Sequence, residues 1–532
     1  MKAKIMNKSK KQELNYTDKC DVYLINPPWL SKDDSIWHGV RSAMPPLGLL
    51  SIASWIESNG FKTKVMDIHV EGFSAENVVD IISQSQPKIV GFSVMTATSN
   101  AAHMAAKLVK KAAPDCITVF GGVHAEALPI EVLCNKDVDI VVRGDGELPF
   151  LEICEGKDWS KIKGISYRKN NLVIHNPVGP VEMNLDIYPF PAYNLVPMEK
   201  YYPAIGAYKK LPGINMLMTR GCPGKCTFCN SAMTTLRTRS AKNMIEEIKW
   251  LYETYGIREI SFYDDTFTVM KKNVLEFCEL MAKENMGITW SAFVRADCFN
   301  PILAKAMKKA GCHQVLIGVE SGDMEILKLL RKPIDVKRTK KCIEIAREVG
   351  IDSRCAYIFG NQGETVDSMQ NTLDFSIELD SDLAMYNVCT PYPGTQIYKW
   401  AKENNYLKSE EWGDFEYYTF MLKLPTVTEK EIMEFYKNAH SKFFMRPIQF
   451  WRRLVRVTKI SHIIDLIHAF FFIVLRIKTG SRVDTRDDWK NTKKTDFYDF
   501  TPTALDSTPA LTYELREEDL APEVTTTLVG SV

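Results

Sequence analysis

The segment 220–230, RGCPGKCTFCN, places three cysteines in the spacing C-x3-C-x2-C. Cys222, Cys226 and Cys229 are thus close enough for their thiolates to share a metal centre. A structural zinc site usually needs a second cysteine or histidine pair, and neither follows here. A [4Fe–4S] cluster held by only three cysteines leaves one iron open to a substrate or cofactor. The cluster is the favoured interpretation, with a zinc site and ordinary loop cysteines as the alternatives.

The cysteine segment follows the first of six strand patterns that alternate with helical ones. These patterns cover residues 214–220, 259–265, 288–295, 314–321, 352–360 and 383–392. Repeated βα units predict a partial (β/α)6 barrel of the TIM type, with its chemistry at the C-terminal ends of the strands. The cysteines lie at such an end.

Five further strand patterns precede the barrel, at 21–29, 62–68, 88–94, 116–122 and 139–146. They are rich in Val and Ile and alternate with helices, which predicts an α/β fold with a doubly wound, flavodoxin-like parallel sheet. Ligands bind such sheets at the carboxyl ends of the strands. No G-x-G-x-x-G follows the first strand, which argues against a dinucleotide site.

These patterns divide the chain into six parts. We predict an N-terminal extension at 1–19, the sheet domain at 20–155, a linker at 156–210, the barrel at 211–430, a helical region at 431–480 and a disordered tail at 481–532.

Composition limits the class of protein. With 532 residues the chain is long enough for several domains, and its net charge of +1 argues against a nucleic-acid partner bound through bulk charge. The basic start lacks the apolar segment of a signal peptide. The 13 cysteines are spread widely, as in a reduced cytoplasmic protein rather than a disulfide framework.

With the cysteines placed after the first barrel strand, the chain resembles the radical S-adenosylmethionine (SAM) enzymes. The resemblance implies that Cys222, Cys226 and Cys229 are catalytic and hold a [4Fe–4S] cluster whose fourth iron is chelated by SAM. In that family, electron transfer cleaves SAM to methionine and a 5′-deoxyadenosyl radical. A flavodoxin or ferredoxin would be the electron donor.

The resemblance also assigns SAM-binding residues at other strand ends, where the alternative is an ordinary solvated loop. Asp264 and Asp265 in FYDDTF correspond to contacts with the SAM amino group, and Glu320 and Ser321 in GVESG to contacts with its ribose and methionine parts. The remaining candidates are Phe228, which precedes the last cysteine, and Arg295, which can meet a carboxylate.

The N-terminal block resembles the cobalamin-binding domain that precedes one large class of radical SAM enzymes. INPPW, GFSVMTATS and FGGVHAEALP follow strands one, three and four. The resemblance implies that Ser93, Thr96, Gly121, Gly122 and Glu147 bind the cofactor, with the glycines allowing close approach to its nucleotide tail. A receiver-like or nucleotide-binding sheet is the alternative.

The segment DIHVEG, residues 67–72, spells D-x-H-x-x-G, which supplies an axial histidine to cobalt in other cobalamin proteins. There the motif follows the first strand, whereas here it follows the second. We therefore predict that His69 is not a cobalt ligand.

The resemblance covers about residues 20–450 and implies a cobalamin-dependent radical SAM enzyme. The favoured reaction is methylation of an unactivated carbon or phosphorus centre in a small molecule. The alternatives are a radical oxidation, cyclisation or rearrangement, as in the anaerobic cyclase of chlorophyll synthesis, and a cobalamin or iron–sulfur sensor without turnover.

Residues 446–478 are basic, aromatic and apolar, with a dense apolar run at 461–477 that is too short to span a membrane. The favoured interpretation is a helical cap on the barrel. Peripheral contact with the inner face of an anionic membrane is the alternative.

Overall fold

The computed structural model describes residues 14–29, 42–169, 172–204, 206–415 and 419–455, together with Trp489 and Phe497. Within these ranges the chain forms two large β-sheets, each covered by helices. The first sheet belongs to the N-terminal part and the second to the predicted barrel.

The N-terminal sheet has seven strands in the order β2-β1-β3-β4-β5-β6-β7. Strands β1 to β5 run parallel, and β6 and β7 form an antiparallel hairpin that extends the sheet beyond β5. The bounds are β1 (Val22–Asn26), β2 (Thr63–Asp67), β3 (Ile89–Ser93), β4 (Ile117–Gly121), β5 (Ile140–Val142), β6 (Ile165–Lys169) and β7 (Leu172–His175). This order confirms the predicted doubly wound sheet, and the hairpin occupies part of the predicted linker.

Seven helices cover this sheet in the described residues. They are α1 (Leu47–Ser58), α2 (Ile68–Glu71), α3 (Ala75–Ser85), α4 (Ser99–Ala112), α5 (Val123–Ala127), α6 (Pro129–Leu133) and α7 (Glu147–Cys154). The strands between them are apolar on both faces, since Val22, Tyr23, Leu24 and Ile25 of β1 are all 0% exposed. Burial on both faces is the reason that these strands read as continuous apolar runs rather than as alternating patterns.

The second sheet has six parallel strands in chain order, which curve into an open barrel with the first and last strands at its edges. Its strands are β8 (Gly213–Met216), β11 (Glu259–Phe262), β12 (Thr289–Val294), β13 (Cys312–Glu320), β14 (Asp352–Phe359) and β15 (Leu383–Val388). A short ribbon of β9 (Thr219–Arg220) and β10 (Arg237–Thr238) brackets the cysteine segment. The predicted partial barrel is confirmed.

The helices outside the barrel follow their strands in turn. They are α8 (Ala241–Tyr255), α9 (Lys271–Glu284), α10 (Pro301–Lys309), α11 (Met324–Leu329), α12 (Val336–Glu348), α13 (Val366–Leu379) and α14 (Gln396–Glu403). Local sequence sets several of their ends: Ser240 caps α8, Gly256 ends it in the left-handed region at φ 67°, and Thr365 and Ser368 form a capping box on α13.

The amino ends of the barrel strands are closed by residues 206–212. Buried Glu259 accepts hydrogen bonds there from the backbone of Lys209 and Lys210, from Thr289 Oγ1, and from His313 Nε2 at 2.7 Å. Because these partners close the amino end, the opening at the carboxyl ends of the strands is where ligands enter.

Two helices follow the barrel, α15 (Glu429–Phe444) and α16 (Pro447–Val455). His440 and Phe443 of α15 pack against Tyr386 of β15, so α15 covers the outer face of the last strand. The apolar run 461–477 lies outside the described residues. Of the predicted disordered tail, the structure describes Trp489 and Phe497, and both are buried against the N-terminal domain.

Within the described residues, no helix is both long and apolar enough to cross a membrane.

Candidate active site

The cysteine segment forms a loop between β9 and β10 at the mouth of the barrel. Gly221 opens it at φ +87°, and a Cβ there would collide with the carbonyl of Thr235, so only glycine fits. The Gly224 backbone N–H donates to Cys222 Sγ at 3.3 Å. The loop therefore wraps around its own first cysteine.

All three thiols of the loop are partly exposed, whereas Cys278 and Cys342 in helices α9 and α12 are buried. Burial raises the pKa of Cys229 to about 11, and it also raises the pKa of Cys226 against the opposing charge of Lys332. Within the described part of the chain, no three His, Cys, Asp or Glu side chains converge as the ligands of a single metal ion do.

Two cations lie beside the thiols. Arg295 binds Asp297 in a fork, with Nε at 3.1 Å from Oδ1 and Nη2 at 2.8 Å from Oδ2, which leaves Nη1 next to Gly224. Lys332 Nζ lies 2.9 Å from Glu320 Oε1. Burial lowers the pKa of Lys332 by disfavouring its charged form. The charges of Glu320 and Cys226 outweigh this effect, so the pKa is raised. Partly exposed thiols between two cations fit an iron–sulfur cluster, whose cysteine ligands are thiolates.

Glu320 is held in an unusual backbone conformation at the end of β13. Its φ of 65° is rare for a residue with a side chain, and the register between β13 and β14 shifts at this point. A Cβ at Gly318 would collide with the Glu320 carboxylate, so the glycine leaves room for it. Backbone strain of this kind is typical of functional sites.

The two adjacent aspartates have different environments. Asp264 is 1% exposed and accepts hydrogen bonds from the backbone N–H groups of Met218 and Thr219 and from Thr219 Oγ1 at 2.6 Å. Its carboxylate therefore braces the strand that leads into the cysteine loop. Asp265 is exposed and accepts from Ser231 Oγ at 3.0 Å, so it faces the mouth beside the cysteines.

The other predicted SAM-binding residues also differ in whether they line the mouth or support its walls. Ser321 is 0% exposed, and its hydroxyl is shared with Thr372 Oγ1 at 2.8 Å and with the N–H of Asp323. Phe228 is partly buried against the barrel core. The geometry thus gathers Cys222, Cys226, Cys229, Asp265, Arg295 and Glu320 at one mouth, while Asp264 and Ser321 brace its walls.

Four of the five predicted cobalamin residues, all but Glu147, lie at or just after the carboxyl ends of β3 and β4. Ser93 pairs with Gly121 in the sheet register. Gly122 has a φ of +95°, and a Cβ there would lie 2.8 Å from the carbonyl oxygen of Val94, so this glycine allows the two loops to pack together. Thr96 is buried with its Oγ1 3.3 Å from His124 Nδ1.

The loops after β3 and β4 are covered by residues from the region after α14, which no sequence pattern predicted. Trp412, which is 1% exposed, packs edge-on against His124 with 5.1 Å between ring centroids. Asn100 at the start of α4 donates to Glu411 Oε1 at 2.6 Å. Trp412 lies 288 residues after His124 in the chain, so no local pattern predicts the contact.

Glu147 takes part in a contact between the two domains. Arg220, which precedes the cysteine loop, donates through Nη2 to Glu147 Oε1 at 2.6 Å, and Arg237 pairs with Asp145. The Glu147 side chain is 3% exposed. The structure thus uses this carboxylate to join the sheet domain to the cysteine loop, and a cobalamin contact for it stays a prediction.

Other contacts bring the carboxyl ends of the two sheets together. Asn230 of the cysteine loop donates to the Pro393 carbonyl at 3.0 Å. Gly394 packs so closely on Ala127 that a Cβ would lie 3.0 Å from the alanine Cβ. The loop after β15 therefore touches both the cysteine loop and helix α5, which follows β4, and both predicted cofactor sites open towards the same region.

A cysteine loop at the mouth of an open (β/α)6 barrel, facing the strand ends of a doubly wound sheet, defines the class of two-domain radical enzymes. The family model of the radical SAM superfamily matches residues 216–376, and that of the B12 binding domain matches residues 37–154. The chain belongs to the cobalamin-binding radical SAM enzymes, whose cofactors are a [4Fe–4S] cluster, SAM and cobalamin.

Three known proteins illustrate the similarity. An uncharacterised methyltransferase of Pyrococcus horikoshii is 33% identical over 437 residues, covering 80% of this chain and 93% of the relative. The anaerobic magnesium-protoporphyrin IX monomethyl ester cyclase of Rubrivivax gelatinosus is 25% identical over 419 residues, covering 75% of this chain and 74% of the relative. The structure of the cobalamin-dependent SAM radical enzyme OxsB superposes with a TM-score of 0.66 at 16% identity, covering 85% of this chain and 71% of OxsB.

Proposed function

We propose that this enzyme methylates an unactivated carbon or phosphorus centre of a small-molecule substrate. The observation that carries the proposal is the contact between the carboxyl ends of the two sheets, through Arg220 and Glu147 and through Gly394 and Ala127. Because both cofactor sites open towards one region, a substrate there would be within reach of both. When bound, the cluster with SAM supplies radical chemistry and cobalamin supplies the methyl group.

The residues at the mouth would bind and orient the reactants. Cys222, Cys226 and Cys229 would hold the cluster, and Asp265 would accept from the SAM amino group beside Ser231. Glu320, fixed by Lys332, would hold the ribose. Arg295 would offer its remaining N–H groups to a carboxylate.

The protein also restricts access of water. Residues 206–212, tied to Glu259, close the amino end of the barrel, and the N-terminal domain lies against the mouth. Excluding water strengthens electrostatic contacts and protects reactive species. A flavodoxin or ferredoxin belongs to the proposal as electron donor.

A first experiment tests the class of chemistry. The reconstituted protein is given SAM and dithionite without oxygen, and 5′-deoxyadenosine is measured. We expect release of 5′-deoxyadenosine, whereas a sensor without turnover would release none.

A second experiment tests methyl transfer. Anaerobic incubation with cell extract and methyl-labelled SAM should give a small molecule that carries the label, detected by mass spectrometry. Similarity to the anaerobic cyclase favours oxidative cyclisation as the second candidate. A product that has lost hydrogen and gained no labelled methyl would support it.

A further inference from the structure

The inner wall of the barrel carries an arginine that the proposed chemistry does not use. In β14, Cys355, Tyr357 and Phe359 are 0% exposed, and Phe359 packs against Phe435 of the outer helix α15 with 6.2 Å between ring centroids. The alternating residues of the strand, among them Arg354, therefore face the barrel lumen. Arg354 Nε contacts Met385 Sδ of the neighbouring strand at 2.9 Å, which places the guanidinium on the inner wall.

Arg354 has no carboxylate partner within the described part of the chain. Its one hydrogen-bond contact there is with the methionine sulfur, which is a weak acceptor. Burial lowers its pKa, and the nearby Tyr263 only partly opposes this. Arg354 is half-buried, and an arginine in such a position normally pairs with an anion, so an unpaired guanidinium in the lumen indicates that a ligand supplies the negative charge.

The surrounding wall is apolar and open. Tyr263 and Phe293 are 41% and 38% exposed although both lie on barrel strands or their ends, and their rings meet edge-to-face at 5.8 Å. Burial raises the pKa of Tyr263 and Arg354 lowers it, so the phenol and the guanidinium are close enough to interact. Exposed aromatic rings beside one cation are typical of a ligand pocket.

Deeper in the lumen, polar atoms lie without partners in the described residues. Ser261 pairs in register with Asn215 and with Ser291, and Ser291 pairs with Gln314, which forms one polar row across four strands. The buried Ser261 Oγ and Gln314 Oε1 have no hydrogen-bond partner among the described residues. Buried polar atoms normally find a partner, so this row can bind water or polar groups of a ligand.

We propose that Arg354 binds an anionic group of the substrate, a carboxylate or a phosphate-type oxyanion, while the body of the substrate packs against Tyr263 and Phe293. This inference rests on the proposed function and names the substrate class of that site. Glu320 pairs with Tyr357, three residues beyond Arg354, so the backbone of Arg354 lies about 10 Å below the level of Glu320. The opposite end of the substrate would then point to the mouth.

The test measures binding of small anions to the full-length, cluster-loaded protein by equilibrium dialysis. The probes are methylphosphonate, inorganic phosphate and acetate, and the variants are Arg354→Gln and Arg354→Lys. Arg338→Gln is the matched control, because Arg338 is exposed on α12 and its loss removes the same charge. We expect Arg354→Gln to weaken binding about tenfold or more, Arg354→Lys to be intermediate, and the control to match the wild type.

Whichever of methylphosphonate and acetate binds more tightly to the wild type identifies the class of oxyanion that Arg354 binds. Equal binding by the wild type and Arg354→Gln would overturn the proposal, as would a wild type that binds none of the three probes. If Arg354→Gln fails to fold, the comparison of Arg354→Lys with the wild type tests the proposal. Lysine keeps the positive charge but lacks the planar guanidinium that binds an oxyanion through two N–H groups.

SAM also carries a carboxylate, so its binding is measured separately. We expect Arg354→Gln to bind SAM as tightly as the wild type does, because in this proposal Arg354 binds the substrate and not SAM. Loss of SAM binding in this variant would place Arg354 at the cofactor and overturn the proposal. If the proposed function is wrong but this inference is right, the wild type binds the anion and does not cleave SAM.

Discussion

Arg220 and Glu147 meet at 2.6 Å across the boundary between the cobalamin-binding domain and the barrel. Arg220 directly precedes the cysteine loop, and Glu147 begins the helix that follows β5. Asp145 lies 3.7 Å from Arg220, and both carboxylates raise the arginine pKa although burial opposes them. The position of the cysteine loop is thereby tied to the sheet domain.

We predict that Glu147→Gln lowers stability by about 2–3 kcal/mol, because it leaves a largely buried guanidinium without its nearest anion. Urea unfolding, followed by tryptophan fluorescence, measures the loss. The matched control is Glu325→Gln, which breaks an exposed pair with Lys328 and should leave the midpoint unchanged. Normal stability combined with lost cobalamin binding in Glu147→Gln would instead make Glu147 a cobalamin contact.

We predict that replacing Cys222, Cys226 or Cys229 by alanine abolishes SAM cleavage and lowers iron content. Each variant removes one thiolate from the loop at the mouth. Cys278→Ala and Cys342→Ala should keep both properties, because these thiols are 2% and 1% exposed in the barrel core. Iron assay and chromatography of 5′-deoxyadenosine are the measurements. Full iron and normal cleavage in Cys226→Ala would refute the cluster assignment.

Sequence patterns predicted both parallel sheets and the segments that form their strands, because buried parallel strands and helical segments differ in length and period. They also located the cysteine loop. They did not separate Asp264 from Asp265, since which carboxylate braces a neighbouring strand depends on where that strand lies. Lys332 and Trp412 meet the site only through tertiary contacts, with no local signature. The hairpin β6–β7 lies in the predicted linker, and its pairing with β5 was not predicted.

We predict that Asp264 makes stability depend on pH. Burial raises its pKa from 3.8 to about 6, so between these values the folded state binds a proton that the unfolded chain has lost. Its contribution therefore decreases as pH rises through this window, by at most about 1.4 kcal/mol per pH unit. Asp264→Asn should lack this dependence.

The measurement is the difference in urea midpoint between wild type and Asp264→Asn from pH 4 to pH 6.5, in iron-free protein. The wild type should lose stability relative to the variant as pH rises. Asp297→Asn is the control of opposite sign, because Arg295 lowers the pKa of Asp297 although burial opposes it. Parallel curves for wild type and Asp264→Asn would contradict the prediction.

We predict that residues 446–452 cap the barrel. Arg446 Nη1 lies 3.1 Å from Asp380 Oδ1, Arg452 pairs with the same carboxylate, and Gln449 donates to the Ser381 carbonyl at 3.0 Å. Two of the basic side chains are thus already paired. A chain that ends at Met445 should unfold at lower urea but sediment with anionic phospholipid vesicles as the full chain does. A loss of vesicle binding would favour the membrane alternative.

The last prediction concerns the lower face of cobalamin. His69 lies in α2, directly after β2, and its Nδ1 accepts from the backbone N–H of Trp29 at 3.4 Å. The ring is therefore engaged by the loop that follows β1, where other cobalamin proteins place their axial histidine. A cobalt without a strong lower ligand is easier to reduce to the state that takes a methyl group from SAM. We expect the paramagnetic resonance spectrum of the Co(II) form to show no superhyperfine triplet from an axial nitrogen, with His69→Ala identical to the wild type. A triplet that disappears in His69→Ala would make His69 a cobalt ligand and would contradict the argument from strand position.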